Sequence, residues 1–150
     1  MIRKAPRAAA LRVIRAGDRA PDTASGAMRR EAAISDGLTG AQKIWVGYVE
    51  LGPGLQSAVH HHGEAESAIY VISGRARFFT GERLEVAHEA GAGDFVWVPP
   101  HAVHLEMNAS ESEPVRMVVA RSTQETLVYN LATPSGWTAP SIGRGRGEAG

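Results

Sequence analysis

The chain has 150 residues, 43% of them hydrophobic, and its 16 basic residues are balanced by 16 acidic ones. That length suits one domain with room for a core, and a net charge of zero gives no electrostatic pull toward nucleic acid. The lack of cysteine removes disulfides, thiolate ligands and a cysteine nucleophile, and no apolar run reaches transmembrane length.

Residues 1–28 carry Arg3, Lys4, Arg7, Arg12, Arg15 and Arg19, with Val13-Ile14 as the one apolar pair. They read as a mobile arm with room for one short strand. No aromatic residue interleaves the charges, so the arm has no nucleic-acid signature. Ala8–Leu11 is too short for the apolar centre of a signal peptide, and the expected compartment is the cytoplasm. The barrel is expected over 29–133. Lys43–Leu51 is β-branched and aromatic and closes on Gly52-Pro53-Gly54, which makes it a strand. Ala68–Ser73 is a second strand, stopped by Gly74. Arg75–Phe79 and Arg83–Val86 flank a hairpin turn at Thr80-Gly81-Glu82, and His88 falls in a polar loop. Phe95–Val98 runs into Pro99-Pro100, and Val103–Met107 leads to the polar turn 108–114. Val115–Arg121 and Thr126–Leu131 complete the series. Trp45, Phe79, Phe95 and Trp97 read as core or cavity lining. Residues 134–150, rich in Gly, Pro and Ser, have too little apolar surface to order themselves and read as a flexible tail. Short strands, frequent turns and no amphipathic helix predict an all-β sandwich or barrel, of which the jelly roll closes most of its edges. On Lys43–Leu51, Trp45 and Tyr48 point to opposite faces. One of them needs cover outside a single core, which predicts a homodimer.

Five of the six histidines fall in two windows, Gly54–Glu66 and Gly93–His104. Alternate residues of a strand share a face, so His60 and His62 present two imidazoles together, and His104 supplies a third from a separate strand. Imidazole suits Zn, Cu, Fe and Ni, and a carboxylate nearby admits Mn. Glu106 has the parity of His104, which makes it a candidate acid/base group beside the metal or a surface carboxylate. Arg75 and Arg77 would favour an anionic substrate if they pointed inward, and a solvated face if not.

The two windows resemble the two motifs of the cupin family. Gly54, five residues, His60-x-His62, three residues and Glu66 follow the first. Gly93, five residues, Pro99-Pro100-His101, two residues, His104, three residues and Asn108 follow the second, with His101 where the family usually has Gly. The resemblance implies a single-domain double-stranded β-helix, a jelly-roll barrel, with His60, His62, Glu66 and His104 around one divalent transition metal (Fe, Zn, Mn or Ni) and Asn108 closing a turn. Seven residues, not the usual six, separate Glu66 from Gly74. Either a bulge takes up the extra residue and Glu66 is a ligand, or Ser67 occupies that register and three histidines hold the metal with Glu66 nearby. Glu66 and Glu106 are the candidate catalytic carboxylates. The implied function is a metal-dependent enzyme acting on a small molecule, either an Fe(II) dioxygenase or a Zn/Mn Lewis-acid isomerase, cyclase or lyase. The alternative is a non-catalytic barrel that binds or senses a small ligand.

Overall fold

Strand β3 (Trp45–Leu51) shows how the sequence builds the fold. Its residues alternate between buried and half-buried, so Trp45, Val49 and Leu51 face inward with Gly47 between them. Strands β5 (Ser67–Ser73) and β10 (Val115–Arg121) repeat the alternation and pair in one sheet. The computed structural model describes residues 9–140; the basic run before Ala9 and Gly143–Gly147 lie outside the described residues. The other strands are β1 (Ala20–Asp22), β2 (Arg29–Ile34), β4 (Val59–His61), β6 (Arg75–Thr80), β7 (Val86–Gly91), β8 (Phe95–Val98), β9 (His104–Asn108) and β11 (Tyr129–Leu131). One sheet runs β1-β2-β3-β10-β5-β8 and the other β11-β4-β9-β6-β7. All the pairings are antiparallel. This is the jelly-roll barrel. Helix among the described residues is confined to a 3-10 turn at Ala16–Asp18 and one turn, α1 (Asp36–Thr39).

The main core fills the space between the sheets, with Trp45, Val49, Val71, Phe78 and Met117 among its members. A second cluster, including Phe79, Leu105 and Met107, has the opposite strand parity and covers the outer face of the five-stranded sheet. Gly47 is required by packing, since a Cβ there would collide with the Trp45 indole. Two buried guanidiniums lie over the ring, Arg121 at 4.2 Å and Arg30 at 5.7 Å from its centroid. At Gly74 φ is +81°, and a Cβ would meet the backbone of Pro114 and Val115, so the β5–β6 turn takes only glycine.

Several expectations need correction. The arm expected over 1–28 is ordered from residue 20, because β1 pairs with β2 and Ser25 and Met28 are buried. Val13, by contrast, is exposed and outside any strand. The hairpin returns later than Arg83–Val86, since Leu84 takes a positive φ and seals the turn, and the strand begins at Val86. His88 therefore sits in β7 and not in a loop. The tail expected from 134 is anchored at its start, where Trp137 meets Phe79 edge-on at 5.4 Å. Phe95 and Trp97 are exposed by 77% and 66%, outside the core. Trp45 is buried and Tyr48 is covered by the Arg19 guanidinium at 4.1 Å, so β3 leaves no bare aromatic ring.

Candidate metal centre

The inner face of the five-stranded sheet carries one row of polar side chains. Register places Asn130 of β11 opposite His60 of β4, His60 opposite His104 of β9, and His104 opposite Thr80 of β6. His62 follows at the end of β4, its ring 4.8 Å from His60 and 5.3 Å from His104 between centroids. All three histidines are buried, and one ring nitrogen from each lies within 4.8 Å of the others.

The backbone decides which nitrogen points inward. Nδ1 of His60 lies 2.8 Å from the Ala58 carbonyl, Nδ1 of His62 2.8 Å from that of Leu127, and Nδ1 of His104 2.8 Å from that of Ala102. A carbonyl can only accept, so each Nδ1 carries the hydrogen and each neutral ring keeps its lone pair on Nε2. Nε2 of both His60 and His104 is buried without a hydrogen-bond partner. Buried polar atoms in proteins are normally satisfied, and three lone pairs on one spot are what a divalent metal satisfies. The residues fit the group.

Ser25 holds this arrangement from outside the two histidine windows. It is fully buried, its Oγ lies 3.3 Å from His60 Nδ1, and its hydroxyl donates to Asn130 Oδ1 at 3.1 Å. Nothing in the sequence spacing marks it, because it comes from the segment that composition assigns to an arm. Arg30 donates to the Thr23 carbonyl at 3.3 Å and steadies the turn that presents Ser25. Arg121 donates to the carbonyls of Thr123 and Gln124, in the loop that brings Leu127 to His62.

Glu106 is the carboxylate of the site. Its side chain is buried beside His104, with Oε1 3.3 Å from Nε2 and Oε2 unpartnered. Burial raises its pKa, but the imidazole of His104 3.3 Å away, with the charge it can carry, outweighs that and brings it down to about 2. Burial lowers the pKa of His104, and Glu106 more than reverses this, leaving it above the ordinary 6.5. With Nδ1–H committed to Ala102, a neutral His104 would face the carboxylate with a lone pair. The pair therefore needs a proton or a metal cation on Nε2. Burial lowers His60, and lowers His62 to about 4, so both are neutral near pH 7 and ready to ligate.

Glu66 is not part of this cluster. The extra residue before Gly74 is taken up where Ser73 pairs with Arg116 and Val71 with Met117, a bulge at Ile72. Upstream of it, Ser67 faces the interior and Glu66 is exposed, its peptide bonded to Ser122 through backbone and side chain. The expectation of Glu66 as a ligand or catalytic group is corrected by strand parity, and Glu106 is the carboxylate next to the imidazoles. His61 points away and stacks on Tyr129 at 4.9 Å. His101 occupies the family's Gly position with φ +60°, held by its N–H on the Gly63 carbonyl at 2.7 Å. Asn108 closes the next turn, donating to the carbonyls of Leu51, Gly52 and Glu113 and accepting from Ser110. Arg75 and Arg77 lie outside, paired with Glu89 at 2.6 and 3.5 Å. No helix among the described residues is long and apolar enough to cross a membrane.

No curated protein sequence matches the chain. Among solved structures it is similar to the polyketide cyclase RemF from Streptomyces resistomycificus, at 18% identity and a TM-score of 0.70, covering 84% of this chain and 89% of that one. An uncharacterized protein with a double-stranded β-helix domain from Klebsiella pneumoniae aligns at 22% identity and a TM-score of 0.58, covering 80% and 91%. The oxalate decarboxylase of Lactobacillus farciminis aligns at 23% identity and a TM-score of 0.65, covering 77% of this chain and 34% of that one. At these identities the likeness establishes the fold. The cupin domain family matches residues 47–121, half of the 150-residue chain, and with both histidine windows inside or bordering the jelly roll, the protein belongs to the cupin family.

Proposed function

We propose that the protein is a metal-dependent enzyme acting on a small molecule, with His60, His62 and His104 holding one divalent transition metal and Glu106 serving as the acid/base group beside it. The observation that carries this reading is the convergence of three buried imidazoles whose Nδ1 atoms are all committed to backbone carbonyls. A metal bound there supplies Lewis-acid activation of a substrate oxygen, or an O₂ site if it is Fe(II). The chain's own contribution is a rigid set of ligand directions and a buried carboxylate held ionised. An ionised Glu106 at this position would take up a proton from a bound substrate, which favours isomerase, cyclase or lyase chemistry over dioxygenation. Among the proteins it resembles, a polyketide cyclase is aligned over most of both chains, as is an uncharacterized double-stranded β-helix protein. The non-catalytic alternative would gain from a fourth protein ligand closing the coordination shell. An exposed Glu66 favours open positions and hence catalysis.

Elemental analysis of protein purified without a histidine-affinity step tests the reading. About one Zn, Mn or Ni per chain is expected, lost when His60 and His62 are both replaced by Ala. Iron would move the assignment to dioxygenation. Stoichiometric metal surviving the double replacement would remove the site.

A further inference from the structure

Strands β7 and β8 are each one edge of their sheets, with β11 and β1 at the opposite edges, and they do not pair with each other. Between them lies a cavity of about 260 Å³ that reaches His104. Phe78, Val96 and Val98 give it apolar walls, Trp97 lies along its rim, and its polar side chains are Thr80, His88 and His104. No Asp, Glu, Lys or Arg lines it. A second hollow continues outward past Phe78, His88 and Trp97 to Phe95, with Glu89 and Asp94 on its border, and the Phe95 ring meets Tyr70 at 4.9 Å. Phe95 and Trp97 are the two most exposed aromatic side chains among the described residues.

This lining selects by charge. An anionic group buried in it would meet no lysine or arginine. No arginine reaches the lining: Arg75 and Arg77 pair with Glu89 outside, and Arg30 and Arg121 donate to backbone carbonyls. A flat ring suits the walls, since aromatic and branched side chains offer faces and edges for it, and such sites bind by apolar burial with a few placed polar groups.

We propose that this cavity takes an uncharged, ring-bearing small molecule that enters between β7 and β8, with an oxygen-bearing end toward His104 and its ring against Phe78, Val96 and Trp97. His88, on the inner side of β7 opposite Phe78, is the hydrogen-bonding residue for a polar substituent at the mouth. The orientation of the oxygen end rests on the metal-centre reading; the preference for a neutral ring does not.

Calorimetric titration with 2-naphthol and with oxalate separates the possibilities, run on zinc-loaded and on metal-free protein. 2-Naphthol should bind both forms, more tightly when zinc is present. Trp97→Ala trims an exposed rim residue and should weaken 2-naphthol roughly three- to tenfold. Val96→Phe fills the cavity and should weaken it further, with zinc content unchanged in both variants. Oxalate should bind the metal-free protein no better than background. The proposal is overturned if 2-naphthol fails to bind either form, if both variants bind it as the parent does, or if oxalate binds metal-free protein more tightly than 2-naphthol. Failure to take up zinc would overturn the metal centre alone, because the preference for the ring is read on metal-free protein.

Discussion

Ser25 lies 35 positions before His60 in the sequence, yet it is the side chain that braces His60 against rotation. The Nδ1–H of His60 is shared between the Ala58 carbonyl at 2.8 Å and the Ser25 oxygen at 3.3 Å, and the Ser25 hydroxyl is oriented in turn by Asn130. Such supports fix ring orientation and raise ligand basicity, and their loss lowers metal affinity about 10- to 100-fold. Ser25→Ala should fall at the lower end, near tenfold, because the Ala58 bond remains. Competition with a chromophoric chelator measures it, and Ser25→Thr, which keeps the hydroxyl, should restore most of the loss. Unchanged affinity in the Ala variant would make Ser25 a packing residue only. At this scale the histidine triad is readable from the chain because strand parity and motif spacing encode it. Ser25 and Asn130 are not, since they reach His60 only through tertiary pairing. Glu66 is misleading for a related reason: motif spacing counts residues, while the side of the sheet a residue faces depends on where the bulge falls.

Among the elements, the segment after β11 is the one whose composition conceals its packing. Gly, Pro and Ser dominate it, but Trp137 and Ala139 lie against Phe79 and Leu105 on the outer face of the five-stranded sheet. Half-burial of an indole and one edge-to-face contact stabilise by about 1–2 kcal/mol. A chain ending at Ala132 should melt roughly 3–6 °C lower, and Trp137→Ala in the full chain should account for most of that. Differential scanning calorimetry gives both values, and equal melting temperatures would return the segment to the status of a free tail. Strands β3, β5, β8 and β10 are legible within two residues because they alternate cleanly. Strand β2 is not, because Arg29-Arg30-Glu31 hides a strand whose inward Arg30 is accommodated by the Trp45 face. Strand β7 also escapes, since Val86, His88 and Glu89 sit on an exposed edge where no apolar pattern is required.

For the molecule as a whole, the buried imidazoles couple stability to pH. Burial lowers the pKa of His62 from its ordinary 6.5 to about 4 in the folded chain. Between those values the unfolded chain binds a proton that the folded one refuses, so the stability this residue contributes above pH 6.5 is lost as pH falls toward about 4. The loss is on the order of 3 kcal/mol for that shift, and His60 is shifted the same way. His104 acts in the opposite sense. Its folded value is raised, so its contribution is present below 6.5 and fades as pH rises through the folded value. Two depressed groups against one raised group leave metal-free protein weaker in mild acid. Its urea midpoint should be lower near pH 4.5 than near pH 7, and His62→Gln should flatten that dependence. A midpoint that does not move between those conditions would mean that water reaches His62 freely.

The Ser25–Asn130 bond joins residues 105 positions apart, and the His62–Leu127 bond spans 65. On a growing polypeptide these partners are made far apart in time. Ser25 is made before His60, His62 and His104, and Leu127 and Asn130 follow them. Contacts of such separation form late, after the intervening loop has been closed. An emerging chain therefore holds loosely oriented imidazoles through most of its synthesis, when any available metal could attach to them in the wrong geometry. Only when β11 docks beside β4 does His62 gain its Leu127 carbonyl and His60 its Ser25–Asn130 brace. A divalent metal held by all three imidazoles in these directions would be one taken up after β11 has docked.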